Sequence, residues 1–179
     1  MKMTFADAVK SGLKNYSKFK GTADRREFWY FYLFNVLLNM VTSTLDGFIA
    51  SGAAGASGLS SGGPLYMLTN LILVIPNLTM TVRRFHDAGH SGKWLFLWLA
   101  PVAAFLIGGG FAVATNPISN LETATNDQLL ALIMPLLPAF ILASGVGIFQ
   151  LVINLKASKS AAAGNRYAIE AETATSVDK

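Results

Sequence analysis

Both histidines of this chain fall in one stretch, Arg83-Arg84-Phe85-His86-Asp87-Ala88-Gly89-His90-Ser91-Gly92-Lys93-Trp94, on either side of Asp87. Imidazole and carboxylate are suitable metal ligands. At a membrane face, His86 and Asp87 could also serve as an acid/base pair on a lipid or a phosphorylated headgroup. The spacing of His86 and His90 suits a helix face, but Gly89 and Gly92 favour a tight turn. Two histidines and one acid without further spacing logic are a weak metal signal, so no metal site is assigned. The stretch reads better as a polar turn in which Asp87 pairs with Arg83 or Arg84, and Arg84 reaches lipid phosphates. The chain has no cysteine, which excludes disulfides and thiolate chemistry. No nucleophile–base pair, paired carboxylates or phosphate-binding glycine loop is visible. The expectation is a protein that is not an enzyme, with no catalytic residue and no cofactor.

A second set of polar residues lies inside apolar stretches. Asn35, Asn39, Thr42 and Asp46 follow one another at helical spacing, so they form a single stripe. Asn70 and Asn77 stand two turns apart, with Thr81 and Arg84 continuing their line, and Gln150 and Asn154 form a further pair. Polar side chains facing lipid are costly, so these stripes are expected to face inward as interhelical hydrogen bonds. The alternative is a hydrated path for a small solute with Asp46 as its acidic end. Proton-coupled carriers, however, generally show more ionisable residues than one.

The elements that must position these groups are membrane spans. Of 179 residues, 53% are hydrophobic and only 13% charged, against about a quarter charged in soluble domains. Apolar runs mark four transmembrane helices, at about 28–50, 65–82, 94–114 and 129–155. The first is entered through Phe28-Trp29-Tyr30-Phe31-Tyr32 and the third through Trp94 and Trp98, aromatic belts of the headgroup level. Pro135 and Pro138 can bend the long fourth span. Ala104, Gly108 and Ala112 on the third, and Ala143 and Gly147 on the fourth, would allow close helix contact.

Ahead of the spans, Thr4 to Phe19 reads as an amphipathic helix. Phe5, Val9, Leu13 and Tyr16 form its apolar face, Lys10, Lys14 and Lys18 lie on another, and Thr4 with Asp7 resembles a capping box. Such a helix belongs at the membrane interface. The fold class is thus an all-α integral membrane protein with four transmembrane helices and an N-terminal amphipathic interfacial helix. Its divisions are a segment 1–27, a membrane domain 28–155 and a tail 156–179 expected to be disordered. The uncharged Ser51–Pro64 loop reads as a flexible connector. The first 27 residues carry seven Lys or Arg and no apolar run, so they do not read as a secretory signal.

Lys and Arg also set the orientation. The N-terminal segment holds seven, the middle loop three and the tail four, while the other two loops hold none. Positive charge marks the cytoplasmic side, so both termini and the middle loop are expected inside. Topology and contact with anionic lipid headgroups then account for the net charge of +4, and no nucleic-acid partner is implied.

Three segments carry a resemblance. RRFHDAGHSGKW resembles the RRLHD-x-G-x-SGWW signature of the bacterial inner-membrane family catalogued as domain of unknown function 805, which includes the YhaH-type proteins. Gly21-Thr22-Ala23-Asp24-Arg25-Arg26-Glu27-Phe28-Trp29 is similar to its G-R-x-S-R-x-E-F-W element, and Gly164-Asn165-Arg166-Tyr167 to its G-x-NRYG element. Thr22 departs from the family's Arg, Asp24 from Ser, Phe85 from Leu, Lys93 from Trp and Ala168 from Gly, and His90 stands in for a basic residue. The resemblance implies a small protein of the bacterial inner (plasma) membrane and assigns no catalytic or binding residue. All three segments fall on the expected cytoplasmic side. They are expected to converge into one cluster of Arg25, Arg26, Glu27, Arg83, Arg84, His86, Asp87, Asn165, Arg166 and Tyr167, with Glu27 and Asp87 each paired to an arginine from another segment. The leading functional expectation is a non-catalytic scaffold or sensor module that uses this cluster to meet a protein partner or a second copy. A small-solute transporter or channel is the alternative.

Overall fold

A computed structural model describes residues 3–51, 62–115 and 125–169. All regular structure among the described residues is helical. Four stretches are long and apolar enough to cross a membrane: Arg25–Ala50, Pro64–Asp87, Gly92–Thr115 and Asn126–Leu155. The protein is an all-α integral membrane protein with four such helices. Its chain forms two compact units, Met1–Gly92 with Lys156–Lys179, and Lys93–Leu155.

The first unit contains α1 (Phe5–Lys14), α2 (Arg25–Ser51) and α3 (Pro64–Asp87). Thr4 and Asp7 form the expected capping box at the start of α1. The helix ends at Lys14, short of Phe19, because Asn15 turns its side chain back onto the Ser11 carbonyl (2.9 Å). α1 meets the unit through Ala8 and Gly12, both buried, and the Gly12 backbone lies directly against the Phe31 ring. Phe5 and Leu13 stay exposed beside it. This is the side-by-side arrangement of protein contact, apolar strip and lysines that suits a membrane surface. A core of Ala23, Phe28, Phe31 and Met80 joins α2 to α3, so two rings of the expected aromatic belt, Phe28 and Phe31, are buried.

Buried Pro76 interrupts α3. Proline has no N–H to give the carbonyl four residues back, which here belongs to Ile72. That carbonyl accepts instead from the Tyr16 hydroxyl at 2.5 Å. One turn on, the Thr79 hydroxyl donates to the Tyr16 carbonyl at 3.1 Å. The chain leaving α1 is thus tied to the break in α3, where lipid could not supply a donor.

The second unit begins with a 3₁₀ stretch, Gly92–Trp98, followed by α4 (Leu99–Thr115), α5 (Asn126–Ile133), a 3₁₀ turn at Met134–Leu136 and α6 (Leu137–Leu155). Thr125 and Gln128 form a capping box for α5. The fourth span breaks at Pro135, as its prolines suggest. The Gly108 backbone of α4 packs directly on the Pro135 carbonyl, and Ala112 is buried one turn further. Gly147 does not serve the expected close approach: a Cβ added there meets nothing within 4 Å. The Trp98 indole N–H donates to Gln150 Oε1 at 2.7 Å, and Trp94 packs on Phe149.

Two expectations need correction. Residues Arg83 to Asp87 are not a loop, since α3 continues through them and turns only at Ala88–Gly89, with Gly89 at φ +77°. The helix persists because its charged last turn is buried against partners distant in sequence. The tail is also ordered where it is described: residues 156–169 carry a 3₁₀ turn at Ala161–Ala163 and make specific contacts. The Ser51–Pro64 connector lies outside the described residues between 52 and 61.

Candidate functional site

The cluster is built on the last turn of α3. Arg83 is buried, and its guanidinium donates to Glu27 Oε1 and to the Thr22 carbonyl, both at 3.1 Å. Glu27 is 5% exposed and also accepts from the Ser11 hydroxyl at 2.8 Å. One carboxylate therefore ties α1, α2 and α3 together. The Arg83 carbonyl accepts from the Ala23 N–H at 3.1 Å. Asp24 caps α2 by accepting the Glu27 N–H at 2.7 Å. Aspartate and serine are both good N-caps, so Asp24 in place of serine preserves the local role.

Arg84 is fully buried, a setting in which a charge must be paired to be tolerated. It bonds to Asp87 on its own helix and to the Lys156 carbonyl of the tail. The expected partner from another segment is thus absent for Asp87: the arginine comes from the same turn, and the distant segment contributes the Ser158 hydroxyl, which donates to the same carboxylate at 2.5 Å.

The tail is fixed by Asn165, 2% exposed. Its amide group reaches three carbonyls, those of His86 (2.9 Å), Lys159 (3.0 Å) and Asp87 (3.3 Å). Two of these are end-of-helix acceptors of α3, which have no intrahelical donor. Its oxygen accepts the Tyr167 N–H at 3.2 Å. Tyr167 stacks face to face on His86, centroids 3.9 Å apart, and the Arg166 guanidinium lies over the Tyr167 ring, 4.7 Å from its centroid. His86 Nδ1 sits 3.2 Å from the Gly21 carbonyl, so that nitrogen carries the hydrogen. His90 lies just beyond the helix, with the Lys156 ammonium 3.0 Å from its Nε2. Partial burial, then the charges of Lys156 and Lys159, hold His90 below the ordinary histidine value, against a smaller upward pull from a backbone hydrogen bond at Gly89.

The structure thus brings together Glu27, Arg83, Arg84, His86, Asp87, Asn165, Arg166 and Tyr167, while Arg25 and Arg26 stay exposed at the start of α2. Residues 16–168 match the family described as "Protein of unknown function (DUF805)". The chain belongs to that family. Among curated proteins, this family member is 34% identical to inner membrane protein YhaH of Escherichia coli (strain K12) over 95 residues, 53% of this chain and 74% of that one. It is 31% identical to inner membrane protein YhaI of the same strain over 97 residues, 54% of this chain and 75% of that one. No solved structure matches. The relatives and the apolar helices place this DUF805 protein in the inner membrane. All three sequence segments of the cluster lie inside the family match.

The polar stripe of this family member is a ladder between α2 and α3. Asn70 donates to Asn39 Oδ1 at 2.7 Å, and Asn77 to Asn35 Oδ1 at 3.0 Å. Asn35 and Asn39 each donate to a carbonyl one turn back on α2. Asp46 caps α3: its two oxygens accept the N–H groups of Leu65 (3.0 Å) and Tyr66 (2.7 Å). Gly63 leaves room for this, since a Cβ there would collide with the Asp46 side chain. Gln150 belongs to the other unit and serves Trp98, and Asn154 is buried on the same helix. Among the described residues, no group of three His, Asp or Glu could hold a metal ion. Sequence reasoning missed Ser11, Ser158, Lys156 and Lys159. No local pattern marks them, because each acts only through a partner far along the chain.

Proposed function

We propose that this protein is a non-catalytic scaffold or sensor module of the inner membrane, with both termini in the cytoplasm and the cluster as a docking surface for a protein partner. The observation that carries this reading is the folded-back tail. Buried Asn165 holds residues 156–168 against the end of α3, which gives a small membrane protein a defined composite surface. The ionisable groups inside the cluster are committed to one another: Glu27 to Arg83, and Asp87 to Arg84 and Ser158. Around them Arg25, Arg26 and Arg166 are exposed, a basic rim that suits an acidic partner surface. The convergence of the basic N-terminal segment, the end of α3 and the tail supports placing all three on one side of the membrane. The Asn ladder, spent on helix–helix bonds, lends no support to a solute path.

Photo-crosslinking side chains at Arg26 and Gly164, compared with lipid-facing Leu37 and Ile72, test the docking reading in living cells. One recurrent protein adduct from both rim positions and neither lipid-facing position is expected. Lipid adducts alone would refute it. Single cysteines at Gly164 and Lys10, tested for thiol labelling in inverted vesicles but not in intact spheroplasts, check the orientation.

A further inference from the structure

Three rows at four-residue spacing run along α1, and side chains four apart share one face of a helix. Ala8 and Gly12 are buried against the protein, with Gly12 on the Phe31 ring. Phe5, Val9 and Leu13 form the next row, in which Phe5 is 39% and Leu13 44% exposed. Lys10 and Lys14, both exposed, form the third, and exposed Lys18 follows in the chain leaving the helix. The apolar row thus lies between the protein and the lysines. We propose that α1 binds anionic lipid headgroups through Lys10, Lys14 and Lys18, and that this seating holds Tyr16 on the break in α3.

Depth is the first argument. Tyr16 reaches the Ile72 carbonyl, which lies about 16 Å along α3 from Arg83 at 1.5 Å per residue. α3 is long and apolar enough to cross a membrane, so its charged end belongs at the headgroup level and Ile72 in the hydrocarbon. A hydroxyl at that depth is costly without a partner, and Tyr16 arrives there directly from α1. The apolar row of α1 therefore sits beside lipid rather than in water. Phe5 meets Tyr30 of the aromatic entry edge-on, centroids 6.2 Å apart.

Charge is the second argument. The first 27 residues carry seven Lys or Arg against three acids, Asp7, Asp24 and Glu27. Asp7 accepts from Thr4, Asp24 caps α2, and Glu27 is held by Arg83 and Ser11. Exposed ion pairs are worth little, so a lysine at this level exchanges any protein partner for a headgroup phosphate at small cost. Long stems let the ammonium groups reach the phosphates while the apolar row stays in the acyl boundary. Each lysine near an anionic surface strengthens binding by roughly a factor of five.

Coupling is the third. A helix of 10 residues is marginal in water, so an α1 that leaves the membrane loses its helical hydrogen bonds. It also withdraws the Tyr16 hydroxyl from Ile72 and the Tyr16 carbonyl from the Thr79 hydroxyl. Headgroup charge is thereby felt at Pro76, inside a span. No residue of the tail takes part, so the docking surface and the lipid contact stand or fall separately.

The test places the full-length protein, one copy per nanodisc, in phosphatidylcholine alone and in phosphatidylcholine with phosphatidylglycerol. Hydrogen–deuterium exchange of the amides of 9–14 reads the seating of α1. Fluorine NMR of 3-fluorotyrosine reads the latch, with Tyr16 assigned among the five tyrosines by Tyr16→Phe. Protection of 9–14 should be on the order of a hundredfold greater in the anionic discs at low ionic strength and fade with salt. The Tyr16 signal should shift in step. Lys10→Gln/Lys14→Gln/Lys18→Gln should remove the difference between discs, and Lys10→Arg/Lys14→Arg/Lys18→Arg should keep it. Equal protection in both discs, or a difference that survives the glutamine variant, overturns the headgroup site. Protection that rises only when two copies share a disc assigns the apolar row to a second copy and overturns it too. Headgroup-dependent protection with an unmoved Tyr16 signal overturns the coupling to α3.

Discussion

Replacing Asn165 with alanine should release the tail. The Asn165 amide has two hydrogens to share among the carbonyls of His86, Asp87 and Lys159, and its oxygen holds the Tyr167 N–H. A net hydrogen bond contributes about 1 kcal/mol, and the carbonyls of His86 and Asp87 keep the backbone N–H groups of Gly89 and Lys159 as donors. The two shared hydrogens and the fourth bond together give a loss of about 2 to 3 kcal/mol for docking. At 1.36 kcal/mol per factor of ten, the docked-to-released ratio falls roughly 30- to 150-fold. Hydrogen–deuterium exchange on the protein in nanodiscs reads this ratio directly, because local opening sets the protection of amides in 160–168. Protection there should fall by that factor, while α4 and α6 keep theirs. Asn165→Asp should cost more, since it loses both donors and points a carboxylate at three carbonyls. A fall of less than about threefold for Asn165→Ala would show that other contacts hold the tail and that the hydrogen-bond reasoning fails.

Tyr16→Phe should lower stability by about 1 to 3 kcal/mol, because the Ile72 carbonyl loses the donor that stands in for the one Pro76 lacks. Adding Pro76→Ala should recover most of that loss by restoring the helical N–H, and simple additivity of the two changes in thermal unfolding would refute the pairing. Asp46→Ala removes the acceptor for Leu65 and Tyr66, so the unfolding midpoint should drop by a few degrees, in line with about 1 kcal/mol for a helix cap. Docking of the tail should also depend on pH. His90 is held below 6.5 in the folded protein, so the released state takes up its proton first. Docking is then at full strength above about pH 6.5 and weakens as pH falls below it. Exchange measured at pH 7.5 and 5.5, corrected for intrinsic rates, checks this, and His90→Gln should flatten the dependence.

The four spans were legible because long apolar runs and the distribution of Lys and Arg are properties of the chain itself. The end of α3 was not. Gly89, Gly92 and a dense group of charges look like a turn, and the burial that keeps them helical comes from Glu27 and Ser158, far away in sequence. For α1 the apolar stripe was correct as a pattern but not as the contact, since Ala8 and Gly12 approach Phe31 more closely than Phe5 or Leu13 could. Asp46 could be read as a site or as a cap until the start of α3 was seen to return beside it. The tail's small polar residues suggested disorder. Only the Gly164-to-Tyr167 resemblance pointed to a role there, and the geometry of Asn165 supplies its physical content.

The fixed tail also sets an order of manufacture. Arg84 and Asp87 leave the ribosome well before Lys156, Ser158 and Asn165, the groups that complete them. Throughout synthesis of residues 93–155, the end of α3 carries a charged turn without its final partners. A nascent chain halted in that interval is chemically distinguishable from one carrying the tail, by an Arg84–Asp87 pair that lacks the Lys156 carbonyl and the Ser158 hydroxyl. Closing of the tail therefore follows synthesis of the fourth span, and the state of the Arg84–Asp87 turn distinguishes chains before and after that step.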